Sequence, residues 1–349
     1  MAGGDFDIWI LQQDAPQEEK LAPAYFLKLF TALAILAVVY FSSSFFKNKP
    51  ETQSQNLPAS SLPQSENVLA ASLPLAQDAY LVPTNDIIIP IRKWGVDEPV
   101  LSAQSIYVTE IISGKVLAQK EPDKIQPIAS LSKLITALVV IERANLKDEI
   151  TISKNAVETE GKMGNLVTNE KMTIESLLYA LLIESSNDAA VALAEKFSDQ
   201  GGSASGGNGQ FVDFMNQKTA QLGLINTHFS DPSGLSTENV STAKDMAKIM
   251  QEVIKYPLLT NIMKMPEADI LSADGKHNHH LTNSNKLLAK YPEIIAGKTG
   301  FIDESGNCFI VAIQAPNNKG IIINVILNTQ NRIGEMDKLI QWEKEAFLW

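Results

Sequence analysis

The stretch "PIASLSKLITALVV", Pro127 to Val140, sets a lysine inside an almost unbroken apolar run. On a helix built from that run, Ser130 and Lys133 share one face a turn apart, because residues three positions apart are neighbours there and adjacent residues are not. Leu131, Leu134, Ile135 and Leu138 surround Lys133 and exclude water. Burial disfavours an ammonium, so the amine is pushed toward its neutral, basic form. A neutral lysine beside a serine hydroxyl at a helix N-terminus is an arrangement that activates an oxygen nucleophile.

Ser-x-x-Lys is a common pattern, and it recurs here at Ser44 with Lys47 and at Ser241 with Lys244. The second copy opens "STAKDMAKIM", a helix that Ser241 is expected to cap. What distinguishes Ser130 lies downstream. "SSN" at Ser185 to Asn187 interrupts a helical hairpin in "TIESLLYALLIESSNDAAVALAEKF", and "KTG" at Lys298 to Gly300 is read as preceding a strand. Lys-Thr-Gly occurs once in the chain. "SIYVTEIISGKVLAQ" reads as strand, tight turn, strand, and "CFIVAIQ", "APNNKG" and "IIINVILN" form a second hairpin. "RIGEMDKLIQWEKEAFLW" closes the chain as an amphipathic helix belonging to the same domain. Strands at both ends with helices between them predict an α+β domain whose terminal segments share one sheet.

The chain has 349 residues and a formal charge of -11, which argues against a nucleic-acid surface because phosphate contacts need clustered Lys and Arg. The single cysteine, Cys308, allows neither an intramolecular disulfide nor a CxxC site, and its apolar strand reads as core. "LFTALAILAVVYFSSSFF", Leu29 to Phe46, carries no charge, is closed by Lys47, Lys49 and Pro50, and is long enough to span a bilayer. A cleaved signal peptide is the alternative. The long apolar core, the non-basic lead and the lack of a nearby A-x-A site favour an anchor. The chain is therefore divided into a short N-terminal lead at 1–28, a transmembrane anchor at 29–46, a tether rich in Pro, Ser, Gln, Asn and Ala at 47–98, and a folded domain at 99–349. Inside the tether, "DIIIPIRKW" (Asp86 to Trp94) is apolar enough to dock on the folded domain. "DQGGSASGGNGQ" (Asp199 to Gln210) reads as a surface loop without the context of a phosphate cradle. His277, His279 and His280 in "DGKHNHH" read as a solvated turn without a partnered carboxylate rather than as a metal site.

From about Val100 to Trp349 the sequence resembles the serine D-alanyl-D-alanine carboxypeptidases, the low-molecular-mass penicillin-binding proteins of peptidase family S11. The resemblance is carried by "IASLSKLITALVV", "LLIESSNDAAVALAE", "LGLINTHFSDPSGLS", "STAKDMAKIM", "TNSNKLL" and "AGKTGFIDESGNC". It implies a β-lactamase/transpeptidase-like α+β fold, an antiparallel sheet flanked by helices with a helical subdomain. It also implies that Ser130 attacks the carbonyl of a D-Ala-D-Ala bond with Lys133 as its base. Ser185 would relay a proton to the leaving amine and Asn187 would bind the substrate amide. Lys298 and Thr299 would hold the terminal carboxylate, Gly300 would let the strand approach the substrate, and the N-H groups of Ser130 and Phe301 would form the oxyanion hole. The expected substrates are peptidoglycan stem peptides, with β-lactams as inhibitors and neither metal nor organic cofactor. Such a substrate puts the domain outside the cytoplasm, held to the bacterial cell membrane by the N-terminal helix.

Two other readings stand beside this one. A class A β-lactamase shares the three motifs but needs a glutamate after the second. Between Ala189 and Asp231 the only glutamate is Glu195, within a helical continuation, and no E-x-x-L-N pattern appears. A non-catalytic, membrane-tethered cell-wall-binding protein would not need Ser130, Lys133, Asn187 and Lys298 intact.

Overall fold

The computed structural model describes residues 87–161, 165–198 and 209–349. The expected anchor, most of the tether and most of the Gly/Ser loop lie outside these residues. Among the described residues no helix is long and apolar enough to cross a membrane.

Five strands make the central sheet: β1 (Ser105–Glu110), β2 (Val116–Lys120), β3 (Ile294–Ile302), β4 (Gly306–Gln314) and β5 (Ile321–Thr329). Their spatial order is β3-β4-β5-β1-β2, and every neighbouring pair is antiparallel. The two sequence-terminal hairpins are thus joined edge to edge through β5 and β1, as the α+β expectation required. Lys298, Thr299 and Gly300 lie within β3 and do not precede it. Among the described residues β3 is an edge strand of the sheet, paired with β4 alone.

Besides the one-turn helix Lys154–Val157, the helices of the described residues are α1 (Lys133–Arg143), α2 (Ile174–Tyr179), α3 (Asn187–Ser198), α4 (Gly209–Gln221), α5 (Ala243–Val253), α6 (Pro257–Met263) and α7 (Arg332–Ala346). Along β4 the side chains alternate between two cores. Cys308, Ile310 and Ala312 face the larger one, which α1 and α5 enter, while Phe309, Val311 and Ile313 face Met336, Leu339 and Ile340 of α7. A sheet buried on both faces needs apolar side chains at successive positions, which is why "CFIVAI" reads as an unbroken run and "IIINVIL" as one broken only by Asn324. The closing helix is therefore a layer of the folded domain.

Two local expectations change. Thr242 and not Ser241 caps α5, its hydroxyl accepting the Asp245 N-H at 3.0 Å, because Ser241 is already committed to a short strand pairing with Gln126. The folded part also starts before residue 99. Ile91–Arg92 pairs antiparallel with Phe347–Leu348, the Lys93 N-H donates to Ala346 O at 2.8 Å, and the Arg92 guanidinium lies 5.0 Å from the Trp342 ring centre. The Ile91 to Lys93 part of "DIIIPIRKW" thus docks on the end of the chain through its backbone and Arg92, and the stretch from Ile91 to Glu98 is not tether.

Candidate active site

Ser130 sits in a single 3-10 turn, Ala129–Ser132, that leads directly into α1. Ala129 has φ +49°, a left-handed conformation costly for a residue with a side chain, and three contacts hold it there. The Ser132 hydroxyl donates to Ala129 O at 2.8 Å, the Asn239 amide donates to Ser132 Oγ at 3.0 Å, and the Ile128 N-H donates to Asn239 O at 3.1 Å. Gly300 of β3 passes against the same turn. A methyl group on Gly300 would sit 3.0 Å from Ile128 O and 3.2 Å from Ser130 N. The bare α-carbon thus serves the strand's approach to the nucleophile's own backbone. Phe301, the next residue, is carried to the same turn with its ring exposed.

Lys133 is fully buried, and burial pulls its pKa down to about 7, partly countered by Asp231. Its Nζ lies 3.0 Å from Ser130 Oγ, 2.7 Å from Asn187 Oδ1 and 2.5 Å from Ser233 O. Asn187 Oδ1 and Ser233 O can only accept here, so a neutral amine gives them its two N-H groups. Its lone pair is then left for the hydroxyl proton of Ser130. This count makes Lys133 a base aimed at one oxygen.

The second motif is also set by local strain. α2 runs into a single π turn, Ala180–Glu184, and Ser185 ends it at φ +71°. The Ser186 hydroxyl then accepts the Ala189 N-H at 3.0 Å, and α3 begins at Asn187. The Asn187 amide donates to Glu160 O and Gly161 O at 3.0 Å each, which fixes Oδ1 toward Lys133. Lys298 is fully buried too, and its Nζ donates to Ser185 Oγ at 2.7 Å and to Thr299 O at 2.8 Å. Burial first, then the charges of Lys133 and Arg332, hold its pKa well below the usual lysine range. The Thr299 hydroxyl donates to Ser284 Oγ at 2.8 Å. All eight residues singled out in the sequence thus lie on the nucleophile turn with the start of α1, on the π-turn junction with α3, or on β3.

Sequence reasoning missed several supports. Arg332, at the start of α7, donates to Gly300 O at 3.0 Å and adds a third basic side chain to the cleft. Asn239 links the nucleophile turn to the loop that carries Ser233, because its Oδ1 also accepts the Ser230 and Asp231 N-H groups at 2.7 and 3.2 Å. Asp231 shapes that loop by accepting the N-H groups of Ser233, Gly234 and Ser236. Gly234, at φ +87°, is required outright, since a methyl group there would lie 2.1 Å from Ala129 O. Asp231 and Gly234 are legible in sequence as turn formers, but Arg332 and Asn239 gave no sign of their roles, and the Ser233 acceptor is a backbone carbonyl that residue identity does not reveal.

Other expectations divide. Cys308 is buried in β4, its thiol pushed up to about 11 by burial, as a core residue should be. The histidine turn is more structured than expected. His279 is buried, with Nε2 2.9 Å from the Glu170 carboxylate, so that histidine does have a partnered carboxylate and clamps the hairpin to the Glu170 loop. Glu195 accepts from Asn155 at 2.8 Å in an exposed contact.

The sequence model of the D-alanyl-D-alanine carboxypeptidase family, peptidase family S11, matches residues 93–331. The chain is 34% identical to the D-alanyl-D-alanine endopeptidase of Pseudomonas aeruginosa over 60% of this chain and 67% of the relative. It is 33% identical to the D-alanyl-D-alanine carboxypeptidase DacF of Bacillus subtilis over 63% of this chain, and spans 56% of that relative's length. The Streptomyces K15 DD-transpeptidase superposes with a TM-score of 0.67 at 27% identity, covering 72% of this chain and all of that one.

Proposed function

This chain belongs to the D-alanyl-D-alanine carboxypeptidase family, a serine-type D,D-peptidase by kinship, and from that premise we propose how its own residues perform the reaction. Neutral Lys133 takes the Ser130 hydroxyl proton as Oγ attacks the carbonyl carbon of a D-Ala-D-Ala bond. The Ser130 and Phe301 N-H groups receive the developing oxyanion, a contribution of about 3 kcal/mol for one such donor. The C-N bond then breaks, and the departing amine takes a proton delivered through Ser185, which Lys298 Nζ orients. Asn187 orients the substrate amide and the base together. Water hydrolyses the resulting Ser130 ester, returning a carboxylate and a free hydroxyl.

Lys298, Thr299 and Arg332 give the cleft an excess of donors and positive charge, which suits the terminal carboxylate of a peptide. The free edge of β3 offers backbone groups to an extended peptide laid beside it. These features support peptidoglycan stem peptides as substrate. We further read the N-terminal apolar segment as the anchor that holds the domain outside the bacterial cell membrane.

The observation that carries the reading is the contact between Ser130 Oγ and a fully buried Lys133 whose other two partners are acceptors. The test is turnover of a D-Ala-D-Ala pentapeptide. Ser130→Ala should abolish D-alanine release and leave peptide affinity within about threefold, whereas release that survives the substitution would refute the assignment. The same assay on crosslinked peptide separates endopeptidase from carboxypeptidase action. β-Lactamase action finds no support at Glu195, whose carboxylate is engaged by Asn155 on the surface.

A further inference from the structure

Where the tether enters the fold, large apolar side chains face outward. Ile87, Ile89 and Ile91 expose between 60% and 64% of their surface, Trp94 exposes 89%, and Leu348, opposite Ile91 in the strand pair, exposes 55%. Pro90 between them is turned inward, so the isoleucines share one side of an extended segment. The strip is not a frayed end. Its backbone is held by the Ile91–Leu348 pairing and the bond from Lys93 to Ala346 O. Arg92 is stacked on Trp342 and Phe347 behind it. A row of isoleucines with a tryptophan at its end, fixed on the surface, is unusual for a protein face that meets only water.

We propose that this strip rests on the lipid bilayer, seating Ile87, Ile89, Ile91, Trp94 and Leu348 in its interfacial layer; the inference builds on the anchor reading of Leu29 to Phe46. Tryptophan and apolar residues bordered by Arg92 and Lys93 match the composition that settles at a membrane interface. About forty residues separate Phe46 from Ile87, so the strip cannot lie farther from the surface that holds it than that length of chain allows. Tethering makes the contact intramolecular, so modest apolar affinity suffices to keep it occupied. Lys93 and Lys319 on one hand and Asp97 and Glu98 on the other leave little net charge nearby, so apolar burial and not lipid charge drives the contact.

The placement has a consequence for catalysis. α7 touches the cleft at one end, where Arg332 donates to Gly300 O, and the strip at the other, where Ala346 accepts from Lys93. Its fifteen residues span about 22 Å. Seating the strip on lipid therefore leaves the cleft uncovered, a helix length away from the contact.

The test uses the full chain carrying Ile89→Cys, labelled with a nitroxide. Cys308 is buried and its thiol pKa is raised, so the label is confined to position 89. In phosphatidylcholine vesicles, with or without phosphatidylglycerol, the label should collide several-fold more with oxygen than with a water-soluble nickel chelate. A label at exposed Glu304→Cys should show the reverse. Adding Ile87→Lys and Ile91→Lys should return the Ile89 label to water. A label at 89 that is as open to nickel with vesicles as without them overturns the proposal and leaves the strip to a protein partner. Retention of the chain on vesicles through an alkaline wash tests the anchor separately. If the chain washes off while the Ile89 label still enters added vesicles, the anchor reading fails and the strip proposal stands.

Discussion

At Lys133 the hydrogen-bond partners and the burial act on the same proton. Two acceptors claim the two N-H groups of a neutral amine, and burial lowers the pKa to about 7, so the base exists in quantity only above that pH. The acylation rate should therefore fall about tenfold per pH unit below pH 7, and a rate that stays flat down to pH 5 would contradict the assignment. The same shift appears in stability. Between about pH 7 and 10.5 the unfolded chain holds a proton on Lys133 that the folded chain does not, so stability rises with pH across that window. Denaturation of Lys133→Met beside the unaltered protein should show this extra rise in the unaltered protein alone. Ser130 and Lys133 were legible because their spacing and apolar setting are local. Arg332 and Asn239 were not, because each reaches the cleft only after distant segments have packed.

Among the elements, the nucleophile turn is held between a glycine of β3 and a glycine of the Ser233 loop. A methyl group at Gly234 would overlap Ala129 O and the backbone is already left-handed there, so Gly234→Ala should cost about 3 kcal/mol or more of folding stability. At Gly300 the added methyl meets its neighbours at 3.0 to 3.3 Å, which a small shift relieves. Gly300→Ala should cost nearer 1 kcal/mol while slowing acylation measurably, because the shift falls on Ser130 N. Chemical denaturation and stopped-flow acylation measure the two effects. Asn239→Ala should lower both, since it frees the Ser132 brace and strands the Ser230 and Asp231 N-H groups. On the closing helix, burial raises the Glu343 carboxyl to about 8, with Asn324 and Lys344 opposing. The folded state thus keeps a proton that the unfolded state loses above about pH 4.5, so stability falls as pH rises from there to 8. Glu343→Gln should remove that fall, about 5 kcal/mol in total. The strands and helices themselves were visible from apolar period, but the lysine and threonine of Lys-Thr-Gly disguised a strand interior as its approach.

At the scale of the molecule, Ile91 to Lys93 return to the C-terminal segment, and the domain begins earlier than composition suggested. Pro, Ser and Gln do not mark where the fold begins, because Ile91–Arg92 becomes a strand only through Phe347–Leu348, a pairing no local pattern announces. Removing residues up to Gly95 should lower the melting temperature by several degrees while leaving acylation intact, since the cleft lies at the far end of α7. The sheet that joins both ends of the sequence also explains why three short motifs scattered along the chain meet at one cleft. α1 brings the base, the π-turn junction brings Ser185 and Asn187, and the edge strand brings Lys298 and Thr299. The most direct test of the acyl-enzyme account is an intact-mass time course of the protein with benzylpenicillin, followed by peptide mapping. A single long-lived adduct on Ser130, formed faster above pH 7 than below it, is the expected result. An unmodified protein beside intact penicillin, or an adduct on any other residue, would contradict it.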